Sequence, residues 1–198
     1  MYSSEPHTVA FGELLDVLAD AQSRGEHSPL YAAQLRLRTL LPTLFAETRP
    51  PPLCLEALGP LWRNAPSMYL GCGARSPLHF DCLENVLCIV RGRKRIALWH
   101  PAHGELLYPG GGGSALFSCV ADALSAEAPL TFPLLAQAAP LALHVELCAG
   151  DALYLPCGWW HDVRTPQGEV SLSVSYWAQQ PEAKLGGSGT ADESFAIR

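Results

Sequence analysis

Of 198 residues, 48% are hydrophobic and 16% charged, which is enough apolar surface for the core of one domain. A formal net charge of -6 argues against a broad phosphate-binding surface, and Arg91, Arg93, Lys94 and Arg95 form one local basic cluster that reads as a solvated hairpin turn. No run of 18 uninterrupted apolar residues occurs, and Met1 to Thr8 lacks a basic segment leading into an apolar stretch, so no membrane association is expected and the protein reads as soluble and intracellular, cytoplasmic or nuclear.

Phe11, Leu14, Leu15 and Leu18 recur at helical spacing, which predicts an amphipathic helix over residues 9–24 that stops near Gly25. A second helix is expected from Tyr31 to Leu41, broken or restarted around Pro42, and Pro50, Pro51 and Pro52 then force extended chain. Beyond them come short runs rich in Val, Leu, Ile and aromatics, punctuated by Gly, Pro and Asp. These predict strands at Ser67–Leu70, Asn85–Arg91, Lys94–Trp99, Leu143–Cys148, Ala152–Leu155, His161–Arg164 and Val170–Trp177. Helices first and strands after, without regular βαβ alternation, predict a mainly β fold, a two-sheet jelly roll with N-terminal helices. The domain reading is a helical region over 1–52, the barrel over 53–178 and a mobile tail over 179–198. An insertion at about 108–140, holding Gly110 to Gly113 and a mixed helical segment from Ala115 to Ala126, separates the two halves of the barrel.

Seven cysteines, Cys54, Cys72, Cys82, Cys88, Cys119, Cys148 and Cys157, form no C-x-x-C pair and read as reduced, mostly buried thiols. Two histidines and a carboxylate stand out instead. His79 and Asp81 flank Phe80, and His161 follows 80 residues after Asp81. In a strand, i and i+2 share a face, so His79 and Asp81 can point into the barrel while Phe80 points away. With His161 closing the set, the three form the facial triad that suits non-haem Fe(II) and leaves positions open for a co-substrate and dioxygen. His100, His103 and His144 read as surface residues, and His7 and His27 have no role assigned.

Gly92-Arg93 suits the loop of a type II′ hairpin, which would place Arg91 opposite Lys94, Ile89 opposite Ile96, Leu87 opposite Leu98 and Asn85 opposite His100. That face is a barrel interior of Leu and Ile that carries Lys94 near one end and Asn85 near the other. A buried ammonium needs an anion unless it reaches water, and a bound dicarboxylate would supply one. Lys94 and Lys184 are the only lysines among 13 basic residues, so lysine at 94 is not the chain's default basic choice.

The runs Ser76 to Asp81, Glu84 to Leu87, Gly92 to Arg95, Ala149 to Pro156 and Gly158 to Val163 together resemble the JmjC family of cupin-like, Fe(II)- and 2-oxoglutarate-dependent oxygenases, especially its small hydroxylases of proteins or tRNA. The similarity covers roughly Tyr31 to Trp177 and implies a double-stranded β-helix. It implies His79, Asp81 and His161 as iron ligands, and Lys94 as the partner of the distal 2-oxoglutarate carboxylate, assisted by Ser76. Asn85 matches a co-substrate-facing position, and Tyr31 matches an upstream tyrosine. Ser175 stands where many relatives have asparagine. Gly150-Asp151 matches a structural turn, and Trp159, Trp160, Trp177 and Tyr154 are candidate cavity walls, although each taken singly reads first as core packing.

The resemblance implies oxidative decarboxylation of 2-oxoglutarate by dioxygen, coupled to hydroxylation of a protein side chain. A protein or peptide is the expected partner, nucleic acid is disfavoured by the charge without being excluded, and the oligomeric state is left open. Other readings are an N-methyl-lysine demethylase of histones or other proteins or a tRNA hydroxylase with the same iron chemistry, a catalytically silent jelly-roll binding module, and a cupin isomerase or sugar binder. The last fits poorly, because neither Glu84 nor Glu146 has histidines at matching spacing.

Overall fold

A computed structural model of the protein describes residues 8–50, 52 and 66–179. The first helix, α1 (Phe11–Arg24), forms as its spacing predicts, burying Leu14, Leu18 and Ala21, and Gly25 caps it in the left-handed conformation with φ 67°. The second predicted helix does not form over its first half. Tyr31–Arg36 is a strand, β1, followed by the short helices α2 (Leu37–Leu40) and α3 (Pro42–Glu47). Its Ala, Gln, Leu and Arg residues favour helix locally, but antiparallel pairing to the next strand and burial of Ala32 override that preference.

Eight further strands follow: β2 (Ser67–Cys72), β3 (Arg75–His79), β4 (Glu84–Arg91), β5 (Arg93–Trp99), β6 (Leu143–Cys148), β7 (Ala152–Leu155), β8 (Trp160–Arg164) and β9 (Val170–Ala178). They build a five-stranded sheet in the order β1-β2-β9-β4-β7 and a four-stranded sheet in the order β3-β8-β5-β6. This is the mainly β jelly roll. Leu87, Ile89, Leu98, Leu147 and Val163 fill the space between the sheets, and α1 packs on the outside of the larger one against Met68, Leu70 and Val174.

The predicted hairpin at Gly92 is absent. β4 pairs with β7 and β9, whereas β5 pairs with β6 and β8, so the chain changes sheets at Gly92 rather than folding back on itself. Gly92 has φ 73°, and a Cβ there would overlap the Val170 carbonyl oxygen. Asn85 and Lys94 face the interior nonetheless, because each strand alternates independently of its partner.

The insertion also departs from expectation. Ala115 to Ala126 is not helical: Ser114, Ser118, Asp122 and Ser125 each accept a nearby backbone N–H with their side-chain oxygens, which competes with helix formation. Short helices come later, at α4 (Ala128–Thr131) and α5 (Leu135–Ala138). With Val120 and Leu107 they cover Leu78, Trp99 and Trp160 on the outer face of the smaller sheet. The cysteines are less buried than expected. Only Cys72 is fully buried, Cys82, Cys119 and Cys148 are exposed, and Cys54 lies outside the described residues, as does the tail expected over 179–198 apart from Gln179. Among the described residues no helix is long and apolar enough to cross a membrane.

Replacing Gly92 with alanine is expected to lower the unfolding free energy by about 1–3 kcal/mol through backbone strain and the carbonyl overlap. The shift of the urea midpoint reads this directly, and an unchanged midpoint would show that the corner does not need glycine.

Candidate metal centre

His79 ends β3 and pairs across the sheet with His161 of β8, so the two rings approach to 4.2 Å between centroids. Asp81 follows just past the strand end, where the Gly158 N–H donates to its carbonyl at 2.8 Å and ties it to the turn before β8. The Asp81 carboxylate lies 3.5 Å from His161 Nε2, and all three possible ligand atoms fall within 4.8 Å of one another. Phe80 turns the other way, its ring edge-on to Trp160 at 4.8 Å.

Backbone carbonyls set both tautomers. His79 Nδ1 lies 2.6 Å from the Pro77 oxygen and His161 Nδ1 lies 2.9 Å from the Trp159 oxygen. A carbonyl only accepts, so each Nδ1 carries the proton and each Nε2 keeps its lone pair for a metal. Burial, reinforced by His79 and opposed by the Trp159 carbonyl, pushes the His161 pKa down to about 3, so this ring is neutral at physiological pH. Burial also raises the Asp81 carboxyl above its ordinary value, with His79 pulling the other way. Two imidazole lone pairs and a half-buried carboxylate therefore converge, a donor set that fits Fe(II) in a facial triad.

All eight residues singled out from the sequence line one narrow cavity between the sheets: His79, Asp81, His161, Lys94, Ser76, Asn85, Ser175 and Tyr31. Lys94 is 3% exposed, and burial alone moves its pKa down to about 8. Its ammonium sits 5.8 Å and 5.9 Å from the ring centroids of Tyr31 and Tyr69. Asn85 Oδ1 and Ser173 Oγ are buried on the same cavity without a hydrogen-bond partner, while the Tyr31 hydroxyl and Ser76 Oγ stand 3.4 Å apart. A buried cation and orphaned polar atoms beside the donor set fit a small anionic co-substrate such as 2-oxoglutarate.

Of the four aromatics read as cavity walls, only Trp177 lines the cavity. Trp160 packs outside the smaller sheet, Trp159 packs beside the inter-sheet core and lies edge-on to His100, and exposed Tyr154 donates to Glu84 at 2.6 Å. His100 and His144 are exposed, while His103 is half-buried. Sequence reasoning missed Tyr69, Ser173 and Phe117. Ser173 shares the alternation of Ser171 and Ser175, a signal that was available. Phe117 carried none, yet its ring stacks on His79 at 5.3 Å.

A family model described as a cupin-like domain matches residues 2–184. The chain belongs to the cupin-like, JmjC family. It is 40% identical over 105 residues to Jumonji C domain-containing protein 5 of Drosophila melanogaster, covering 53% of this chain and 25% of that protein. It is 34% identical over 150 residues to Lysine-specific demethylase 8 of Danio rerio, covering 74% and 35%. With tRNA wybutosine-synthesizing protein 5 of Gallus gallus it shares 33% identity over 105 residues, covering 52% and 30%. The matched region thus spans 25% to 35% of these relatives' own lengths.

In this JmjC chain the folded-state pKa of Lys94 near 8 lies below the ordinary 10.5, so the unfolded chain holds the proton more tightly. Without co-substrate, stability is expected to rise as pH climbs from about 8 to about 10.5, and a penalty of ~3 kcal/mol is fully present below that window. Lys94→Met should abolish this rise and be the more stable protein at pH 7. Urea denaturation at several pH values checks it, and parallel profiles for the two proteins would count against a buried, unpaired ammonium.

Proposed function

We propose that the protein is an Fe(II)- and 2-oxoglutarate-dependent oxygenase that hydroxylates a protein side chain. The observation that carries this reading is that a three-donor metal set and a buried ammonium with no anionic partner among the described residues line one narrow cavity. When bound, iron(II) with 2-oxoglutarate supplies chemistry that uses dioxygen to insert oxygen into a C–H bond. His79, Asp81 and His161 hold the metal. Lys94 receives the distal carboxylate with Ser76 and Tyr31 beside it, and Asn85 and Ser173 offer the polar contacts that the protein itself leaves unmet. Leu87, Leu155 and Val163 line the cavity with apolar surface.

A protein substrate is favoured over nucleic acid by charge. Of the basic cluster, Arg93 pairs with Glu169, Arg95 pairs with Glu146 and Lys94 is buried, which reduces the positive surface there. Relatives named as a lysine-specific demethylase and as a tRNA wybutosine-synthesizing protein support action on a macromolecule.

Purified protein with Fe(II), ascorbate and air is expected to form succinate from 2-oxoglutarate, with His79→Ala and Lys94→Ala both reduced to background. Absence of turnover in the unaltered protein, together with absence of metal or 2-oxoglutarate binding by calorimetry, would refute the oxygenase and leave a silent binding module.

A further inference from the structure

The insertion between the barrel halves is in direct contact with the candidate metal centre. β3 is the edge strand of the smaller sheet and pairs with β8 on one side, with an irregularity in that ladder between Ser76 and His79. Residues 116–118 lie along the other edge. The Phe80 N–H donates to Leu116 O at 2.9 Å and the Ser118 N–H donates to Leu78 O at 2.9 Å, which brackets His79 and Phe117 as an antiparallel bridge. Bonds that flank a pair rather than join it mark the close, non-hydrogen-bonded position, where side chains are nearest. The result is a Phe117 ring stacked on the His79 imidazole with 15° between planes, while His161 lies against the same imidazole at 4.2 Å.

The segment is anchored at both ends. Ahead of it, Gly110 and Gly111 both donate to the Phe117 carbonyl at 2.9 Å, and a Cβ on Gly111 would overlap Ser118 O. Behind it, Val120 is buried with Leu78 and Trp99. Arg75 donates to Ala121 O at 2.8 Å, and Asp122 accepts from Arg164 at 2.5 Å. The same two arginines bracket fully buried Asp162, the residue after His161: Arg75 reaches it at 2.5 Å and Arg164 at 2.7 Å. One strap therefore touches His79 through a ring and reaches the neighbour of His161 through an ion-pair network.

We propose that the strap from Gly110 to Asp122 is a positioning element of the metal centre, with Phe117 holding the His79 ring in its metal-facing orientation. This rests on the reading of His79, Asp81 and His161 as metal ligands. Removing the ring, or displacing the strap from a distance at Gly111, lowers metal affinity and changes the ligand field while leaving every ligand in place. Hydrogen-bonding partners that orient metal-binding side chains are typically worth 10- to 100-fold in affinity, the scale set here for a ring that orients the same imidazole.

The test is titration of metal-free protein with Co(II), following the visible absorption bands, for the unaltered protein, Phe117→Ala, Phe117→Tyr, Gly111→Ala and His79→Ala. Folding of each metal-free variant is checked by circular dichroism. Expected are at least about tenfold weaker binding and a shifted spectrum for Phe117→Ala and Gly111→Ala, with Phe117→Tyr near the unaltered protein because the stacked ring is retained. Should Phe117→Ala not fold, Phe117→Leu keeps the apolar cover and still loses the stacking. Folded Phe117 and Gly111 variants that bind Co(II) with unaltered affinity and spectrum would overturn the strap's role. Failure of the unaltered protein to bind Co(II), or binding that His79→Ala leaves intact, would instead overturn the metal reading on which it rests.

Discussion

Two unmet electrostatic demands face one cavity. On one wall, two imidazoles with their protons committed to backbone carbonyls present bare nitrogen lone pairs beside the Asp81 carboxylate, and a cation is what such a set lacks. From β5 of the same sheet, the Lys94 ammonium is buried beside two tyrosine rings, and an anion is what it lacks. The protein alone carries both as costs of folding, since burial disfavours each charge. A divalent metal bound together with a dicarboxylate would relieve both at once, which makes the pair more informative than either half. The surrounding jelly roll serves this juxtaposition: the smaller sheet brings the candidate ligands together at β3 and β8 and supplies Lys94 from β5, while Asn85 and Ser173 reach in from the larger sheet.

Much of this was legible because strand alternation is a local property. Leu87, Ile89, Ile96 and Leu98 mark the inward face of β4 and β5 whichever strands lie beside them, so Lys94 and Asn85 fall inward although the hairpin used to argue it does not exist. Pairing is not local, and there the sequence misleads. Gly92-Arg93 has the chemistry of a tight reversal, but the Val170 backbone beside Gly92 marks it as a corner between sheets. Tyr31–Arg36 looks helical residue by residue and is a strand only because β2 offers it an edge. Residues 115–126 show the reverse, a stretch read as helix whose serines and Asp122 divert the backbone into turns.

Phe117 shows where reading by pattern stops. It sits in no periodic run, is preceded by a run of glycines, and takes its position from hydrogen bonds to Leu78 and Phe80, residues distant in the chain. Such a segment looks like a replaceable surface loop, yet it completes the edge of the sheet that carries His79 and so blunts an otherwise open strand. Family resemblance marks the candidate ligands and the residues proposed to meet the co-substrate. It does not mark the parts that hold them, which depend on how this chain fills the space around them.

The central claim is that metal and 2-oxoglutarate occupy one site and depend on one another there. Calorimetric titration of 2-oxoglutarate into the protein with and without Mn(II), a redox-inert stand-in for Fe(II), tests it most directly. The account predicts one equivalent bound with Mn(II) present and much weaker binding without it. Binding of equal strength in both conditions, or none in either, would contradict it.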